Sequence, residues 1–232
     1  MASSSKRGPS VSTISQRIPK CDRCPELREY CTTVGREKRK AFADWDYWAR
    51  PVPGFGDERA RIVIVGLAPA AHGANRTGRI FTGDRSGDFL YAALHRAGLA
   101  NQPESTHRND GLELKGVYVT AAVRCAPPGN KPTGRQRANC LSWLVGELQA
   151  LEPRVLLCLG SIGWTAALDA LRELGFEIPS PKPKFGHGSE VELDGVTLLG
   201  SYHVSQQNTF TGRLTEAMFD AVLKRAKRIA RG

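Results

Sequence analysis

An unbroken apolar run, Ile62-Val63-Ile64-Val65 after Arg61, feeds a long loop, Gly66 to Asp88 (GLAPAAHGANRTGRIFTGDRSGD). β-Branched residues that run without polar alternation describe a strand buried on both faces, as in a parallel sheet. Such sheets bind ligands beyond the carboxyl ends of their strands, where this loop would lie. Its glycines at 66, 73, 78, 83 and 87 allow tight turns and close approach to a bound group. Phe89, Leu90, Tyr91, Leu94 and Leu99 then read as a helix. A loop this long inside a compact domain is usually functional, so it is expected to bind a ligand.

Other segments repeat the pattern. Gly116 to Ala122 and Val155 to Leu159 read as buried strands, and a last strand ends at Tyr202-His203. Helices are expected over Gly134 to Leu151, from Gly160 with Ser161 as N-cap, and at the carboxyl end as far as Ala230. Asp194-Gly195 between Val191–Leu193 and Val196–Leu199 is a two-residue hairpin signal. Strands alternating with helices predict an α/β domain with a mostly parallel sheet covered on both faces, three layers in all. Trp45, Tyr47 and Trp48 are expected to cap the sheet.

Charge narrows the partner. Lys+Arg 33 against Asp+Glu 23 leaves a net charge of +10, which favours a polyanion and first of all nucleic acid. The last helix places Lys224, Lys227, Arg228 and Arg231 on one stripe, either a solvated face or a set of phosphate contacts. No apolar run approaches the roughly 20 residues of a membrane span. The opening MASSSKRGPS lacks the apolar segment of a secretory signal, so a cytoplasmic protein with reduced thiols is expected. Residues 1–20, rich in Ser, Pro and basic residues, are expected to form a disordered tail, with 21–232 as one domain.

In a reducing compartment cysteines serve more often as ligands than as disulfides. Cys21 and Cys24 form C-x2-C; Cys125 and Cys140 flank a Pro-rich loop, Ala126 to Pro132. Four thiols could hold zinc or an iron–sulphur cluster, and the residues alone do not choose between them. Cys31 is a spare thiol or an alternative ligand, and Cys158 within VLLCL reads as core.

Three stretches now combine with the C-x2-C: GLAPAAHGANRTGRIFTGDRSGD, AVRCAPPGNKPT (Ala122 to Thr133) and YHVSQQNTFTGRLT (Tyr202 to Thr215). Together they resemble the type B, or family 5, uracil-DNA glycosylases, over nearly the whole chain beyond the tail. The resemblance implies a three-layer α/β/α fold on a four-stranded, mainly parallel sheet. It implies a structural 4Fe-4S cluster on Cys21, Cys24, Cys125 and Cys140. The partner it implies is double- or single-stranded DNA containing uracil or other deaminated bases such as hypoxanthine, met by a monomer associated with the nucleoid.

That chemistry assigns roles. The damaged nucleotide must leave the duplex to reach a pocket. The loop at Gly66, Leu67, Ala68, Pro69 and Ala70 would hold the base through backbone amides, with Phe81 stacking on it or plugging the core beneath. His203 would donate to the uracil carbonyl oxygen as charge develops there. Related families place an acidic residue where this chain has Leu67 and Ala68, so no carboxylate is expected in that stretch. Asn75, which can only orient a water, and Asp84, either a base or a helix N-cap, remain as candidates for the attacking water. Ala121 stands where some relatives carry an Asn that reads the base, which would relax discrimination. Ser205, Gln206, Gln207 and Asn208 would press into the vacated stack, with Arg213 on a phosphate. A damage-binding iron–sulphur protein that does not cleave is the alternative, favoured only by the missing carboxylate.

Overall fold

The computed structural model describes residues 8–232. Helix α1 (Val11–Arg17) and a 3-10 turn over 18–20 open the chain, followed by α2 (Pro25–Glu37). The two-residue strand β1 (Phe55–Gly56) precedes β2 (Ile62–Gly66), the short α3 (Ala74–Thr77) and α4 (Arg85–Arg96). Then come β3 (Val117–Ala121), α5 (Gly134–Leu151), β4 (Val155–Leu159) and α6 (Gly160–Glu173). The chain ends with β5 (Glu190–Leu193), β6 (Val196–Ser201), α7 (Gln206–Phe210) and α8 (Glu216–Arg231).

The sheet has six strands rather than four, in the order β1-β3-β2-β4-β6-β5. The inner four pair in parallel, and β1 and β5 add an antiparallel edge on each side. β5 reaches the sheet through the Asp194-Gly195 turn, where both residues have positive φ (49° and 83°) as a tight hairpin requires. Alternate residues of the inner strands enter two cores, because a strand presents successive side chains to opposite faces. Ile62, Ile64, Val119 and Leu157 pack beneath α4 and α8 with Leu90, Leu94, Phe219 and Leu223. Val63, Val65, Leu156 and Cys158 pack beneath α5 and α6 with Leu144, Leu148, Trp164 and Leu168. Cys158 is therefore a core residue, fully buried.

The expected tail is corrected by α1. Ser10 caps it by accepting from the Thr13 amide, and Val11, Ile14 and Ile18 are buried, with Ile14 and α5 in close contact at Gly146. An apolar i, i+3, i+7 stripe lies inside the polar composition and decides the outcome. The part of that expectation covering residues 1–7 lies outside the described residues. Ser161 is likewise not an N-cap: Leu159 holds that position and Ser161 sits in the first turn of α6. Among the described residues no helix is long and apolar enough to cross a membrane.

Candidate active site

At the carboxyl ends of β2, β4 and β6 lies a cavity of about 450 Å³. Leu67, Ala68 and Ala70 line it from the loop after β2, together with Phe81 and Asp84. Leu159, Gly160, Ser161 and Ile162 contribute from β4 and α6, and His203, Ser205 and Gln207 from the segment after β6. The opposing wall is Gly129, Asn130 and Lys131.

Its floor depends on a missing side chain. Gly66 ends β2, and a Cβ there would lie 2.6 Å from Cζ of Phe81. The Phe81 backbone has φ 51°, a left-handed conformation costly for an aromatic residue, so the surroundings must enforce it. They do so through polar ties. Arg79 is buried and forms a two-pronged ion pair with Asp110 (2.6 and 2.8 Å), while Tyr91 donates to the Ile80 carbonyl at 2.8 Å. Burial alone would raise the Asp110 carboxyl, but the Arg79 bonds and two backbone amides hold it well below the usual carboxylate range. Arg76, also buried, lies between Phe42 (3.9 Å) and Trp45 (4.1 Å) and donates to the carbonyls of His72 and Gly83 at 2.8 Å. Tyr47 bonds the His72 ring at 2.9 Å, and Trp48 packs where a side chain on Gly78 would stand. These aromatics therefore clamp the pocket loop from outside rather than simply capping the sheet. Phe81 is both a core residue and a pocket wall: it is 7% exposed and belongs to the α4–α8 core.

His203 stands 6.0 Å from Phe81, ring centroid to centroid, with the planes 33° apart. Asn208 donates to the His203 carbonyl at 2.8 Å and so fixes the backbone that carries the ring. Burial lowers the imidazole to about 4, which keeps it neutral near pH 7, with one N–H to donate. Asp84 resolves an either/or. Its Oδ1 accepts from the amides of Ser86 (2.9 Å) and Gly87 (3.1 Å) and caps α4, while the residue also lines the pocket. Burial raises its carboxyl above the ordinary value, outweighing the two amides.

Several expected residues lie elsewhere. Asn75 is fully buried in α3, off the cavity wall; its Nδ2 donates to the carbonyls of Cys31 and Ala71, both at 3.3 Å, and its Oδ1 has no partner among the described residues. The turn that forms α3 points it at the cysteine region rather than into the cavity. Ala121 is buried in the core, and Gly66 and Pro69 are buried without lining the cavity. Gln206 is exposed beyond the rim, and exposed Arg213 stacks its guanidinium on Tyr202 at 4.6 Å. Asn130 and Lys131 were not anticipated. The rigid Pro-rich loop was legible, but not that a positive-φ Asn130 (57°) would face the pocket from another crossover. Phe210 was missed as well: it ends α7 at 69% exposure, the one exposed large apolar side chain among the described residues.

The thiols form a third packed cluster. Cys24, Cys31, Cys125 and Cys140 are buried together beside Leu27, Val123 and Ala126. Cys21 and Cys125 lie near enough to Cys24, and Cys24 and Cys125 near enough to Cys140, for each thiol to sense its neighbours' charge. Nitrogen donors already point at two sulphurs: Asn139 Nδ2 to Cys24 and Trp143 Nε1 to Cys21, both at 3.4 Å. Cys31 instead donates to the Ala126 carbonyl at 3.6 Å. Four soft donors from three segments, with N–H groups aimed at sulphur, suit an iron–sulphur cluster. As placed, no three Cys, His, Asp or Glu side chains among the described residues form a ready metal-holding group.

The chain is similar to known proteins over most of its length. The family profile described as the uracil DNA glycosylase superfamily matches residues 53–227. A type-5 uracil-DNA glycosylase of Mycobacterium tuberculosis is 52% identical over 224 residues, 95% of this chain and 82% of that protein. One from Thermus thermophilus is 54% identical over 217 residues, 93% of this chain and 96% of its own length. A type-4 uracil-DNA glycosylase of Pyrobaculum aerophilum is 29% identical over 191 residues, 82% of this chain and 80% of its own.

Proposed function

The chain belongs to the uracil DNA glycosylase superfamily, among its type-5 members, and we propose that it releases uracil from DNA by hydrolysing the N-glycosidic bond. The observation that carries this reading is one cavity uniting an aromatic floor (Phe81), a neutral imidazole (His203) and a carboxylate with one oxygen committed to a cap (Asp84). A base turned out of the stack lies on Phe81 between the backbone of Leu67 to Ala70 and the Asn130–Lys131 wall. As the bond between the sugar C1′ and uracil N1 breaks, its electron pair goes to the base and spreads onto the carbonyl oxygens. Neutral His203 donates a hydrogen bond to one of those oxygens and keeps its proton. Water attacks C1′ and passes its proton to Asp84, leaving an abasic sugar. The case for binding without cleavage rested on the missing carboxylate at 67–68, and Asp84 supplies one from further along the loop.

The same reading extends to other deaminated bases, in double- or single-stranded DNA, because Ala121 stands where some relatives carry a base-reading Asn. It includes a structural 4Fe-4S cluster on Cys21, Cys24, Cys125 and Cys140. When bound, such a cluster would tie the α2, β3 and α5 segments together behind the pocket. Phe210, rather than the polar Ser205 to Asn208, suits the vacated stack. The test is single-turnover release of free uracil from uracil-containing duplex. His203→Ala should lower the rate by about 10² to 10³-fold, as for loss of one oxyanion donor. A protein with no base release would defeat the activity, and a His203→Ala rate equal to wild type would defeat that role.

A further inference from the structure

A cavity larger than the one at the strand ends lies elsewhere. A groove of about 620 Å³ runs between α8 and the carboxyl end of α4, lined by Arg96, Lys224, Arg225, Lys227, Arg228 and Arg231 over a floor of Ala97 and Ala221, with Asp220 as its one acid. Four of its charged groups are occupied. Arg96 holds Asp220 at 2.9 Å and Glu216 at 3.4 Å, Arg225 holds Glu190, and Lys227 donates to the Ala97 carbonyl. Lys224, Arg228 and Arg231 are exposed and form no ion pair among the described residues, Arg228 only lying near enough to the Arg225-bound Glu190 to lower its carboxyl. α4 starts beside the pocket at Arg85 and ends at Arg96, about 17 Å further on at 1.5 Å per residue. The groove therefore opens toward the amino ends of the strands, away from the active site.

We propose that this groove is a second nucleic-acid site, which grips the phosphate backbone of undamaged DNA while the pocket end of the molecule is free or engaged elsewhere. This rests on the reading of the chain as a protein that acts on DNA. The three free cations recur at i, i+4 and i+7 and span about 10.5 Å of helix axis, the rise of about three nucleotides of one strand. No aromatic side chain lines the groove, and its apolar floor is two alanines, so it lacks the anchors on which a protein interface depends. A concave row of unpaired cations with no base-reading amide or aromatic suits phosphate binding that carries no sequence information. Two backbone sites at opposite ends of one molecule let it pass from one DNA segment to another without full release.

The experiment compares wild type with the triple variant Lys224→Gln, Arg228→Gln, Arg231→Gln on two DNAs: a long undamaged duplex, and a uracil duplex just long enough to cover the pocket. On the long duplex, the slope of log affinity against log salt should shrink by about 2.7, near 0.9 for each phosphate that the variant no longer neutralises. On the short duplex, affinity and single-turnover rate should match wild type. An unchanged slope on the long DNA overturns the proposal. An equal loss on the short duplex also overturns it, since α8 would then serve the pocket footprint. Polyglutamate provides the third arm: loss of its binding with an unchanged DNA slope would make the groove an acidic-protein site instead. A reduced slope in a protein that releases no uracil would leave the groove standing and defeat only the activity.

Discussion

A Cβ on Gly73 would stand 2.0 Å from Oδ2 of Asp84. The glycine, buried just before α3, is what gives that carboxylate oxygen its place while Oδ1 remains bonded to the Ser86 and Gly87 amides. Gly73→Ala must therefore turn the carboxylate or shift the loop. The expected outcome is a fall in single-turnover uracil release on the order of 10²-fold, the scale of a displacement of about 1 Å. Stability in a urea titration should drop by only about 1–3 kcal/mol, as for an overpacked site. A Gly73→Ala protein as active as wild type would remove Asp84 from the reaction.

The Asp84 carboxyl gives a pH signature. Burial raises its pKa above the ordinary carboxylate value, so release should decline with falling pH sooner than an exposed aspartate would dictate. Asp84→Asn should slow release by about 10² to 10⁴-fold and abolish that acidic limb. The sign for stability is opposite. A carboxyl whose folded pKa is raised stabilises the fold below its unfolded value and loses that contribution as pH rises through the folded pKa. At neutral pH the charged form is a burden, so Asp84→Asn, which keeps an oxygen for the cap, should raise the melting temperature at pH 7. A variant that is both slower and less stable at that pH would contradict the account.

The inner strands were legible because runs such as Ile62–Val65 and Val155–Leu159 are buried on both faces and need no tertiary context to be recognised. The sheet edges were not. β1 is two residues long, with no period to detect, and β5 revealed its turn but not that its hairpin extends the sheet. In the site, the loop from Gly66 to Asp88 could be named, but not the direction in which each side chain points. Asn75, able only to orient a water, and Asp84, a base or a helix N-cap, were both candidates in one loop; α3 turns the first toward Cys31, and the cap of α4 holds the second at the pocket. Asn130 and Lys131 lie far off in sequence, and only the parallel order β3-β2-β4 brings their loop across from Phe81. Pairing at a distance, rather than propensity, accounts for what was unread.

Phe210 lies seven residues past His203 on a segment held by the Asn208 bonds, with the Arg85 guanidinium 5.6 Å from its ring. A rigidly presented, exposed aromatic can fill the gap left by an extruded nucleotide, and that gap exists only in a duplex. Phe210→Ser should therefore slow release from duplex substrate by about tenfold, the equivalent of about 1.4 kcal/mol. Release from single-stranded uracil DNA should stay near the wild-type rate. Equal losses on both substrates would assign the ring to general DNA affinity instead.

Three of the five clustered thiols separate by their partners. Cys21 and Cys24 receive N–H donors from Trp143 and Asn139, as sulphur ligands of a cluster would, whereas Cys31 spends its own proton on the Ala126 carbonyl. Cys140 lies in the first half of α5, and burial pushes its thiol up to about 11. Such a thiol gives up its proton readily only to a metal, which offsets the cost of the buried anion. Cys140→Ser should then yield protein depleted of iron and acid-labile sulphide, with α2 and the Ala126–Pro132 loop more open to proteolysis. Cys31→Ser should keep the wild-type iron and sulphide content, because a serine hydroxyl can still donate to Ala126. The reverse pattern, iron kept without Cys140 and lost without Cys31, would transfer the fourth ligand to Cys31.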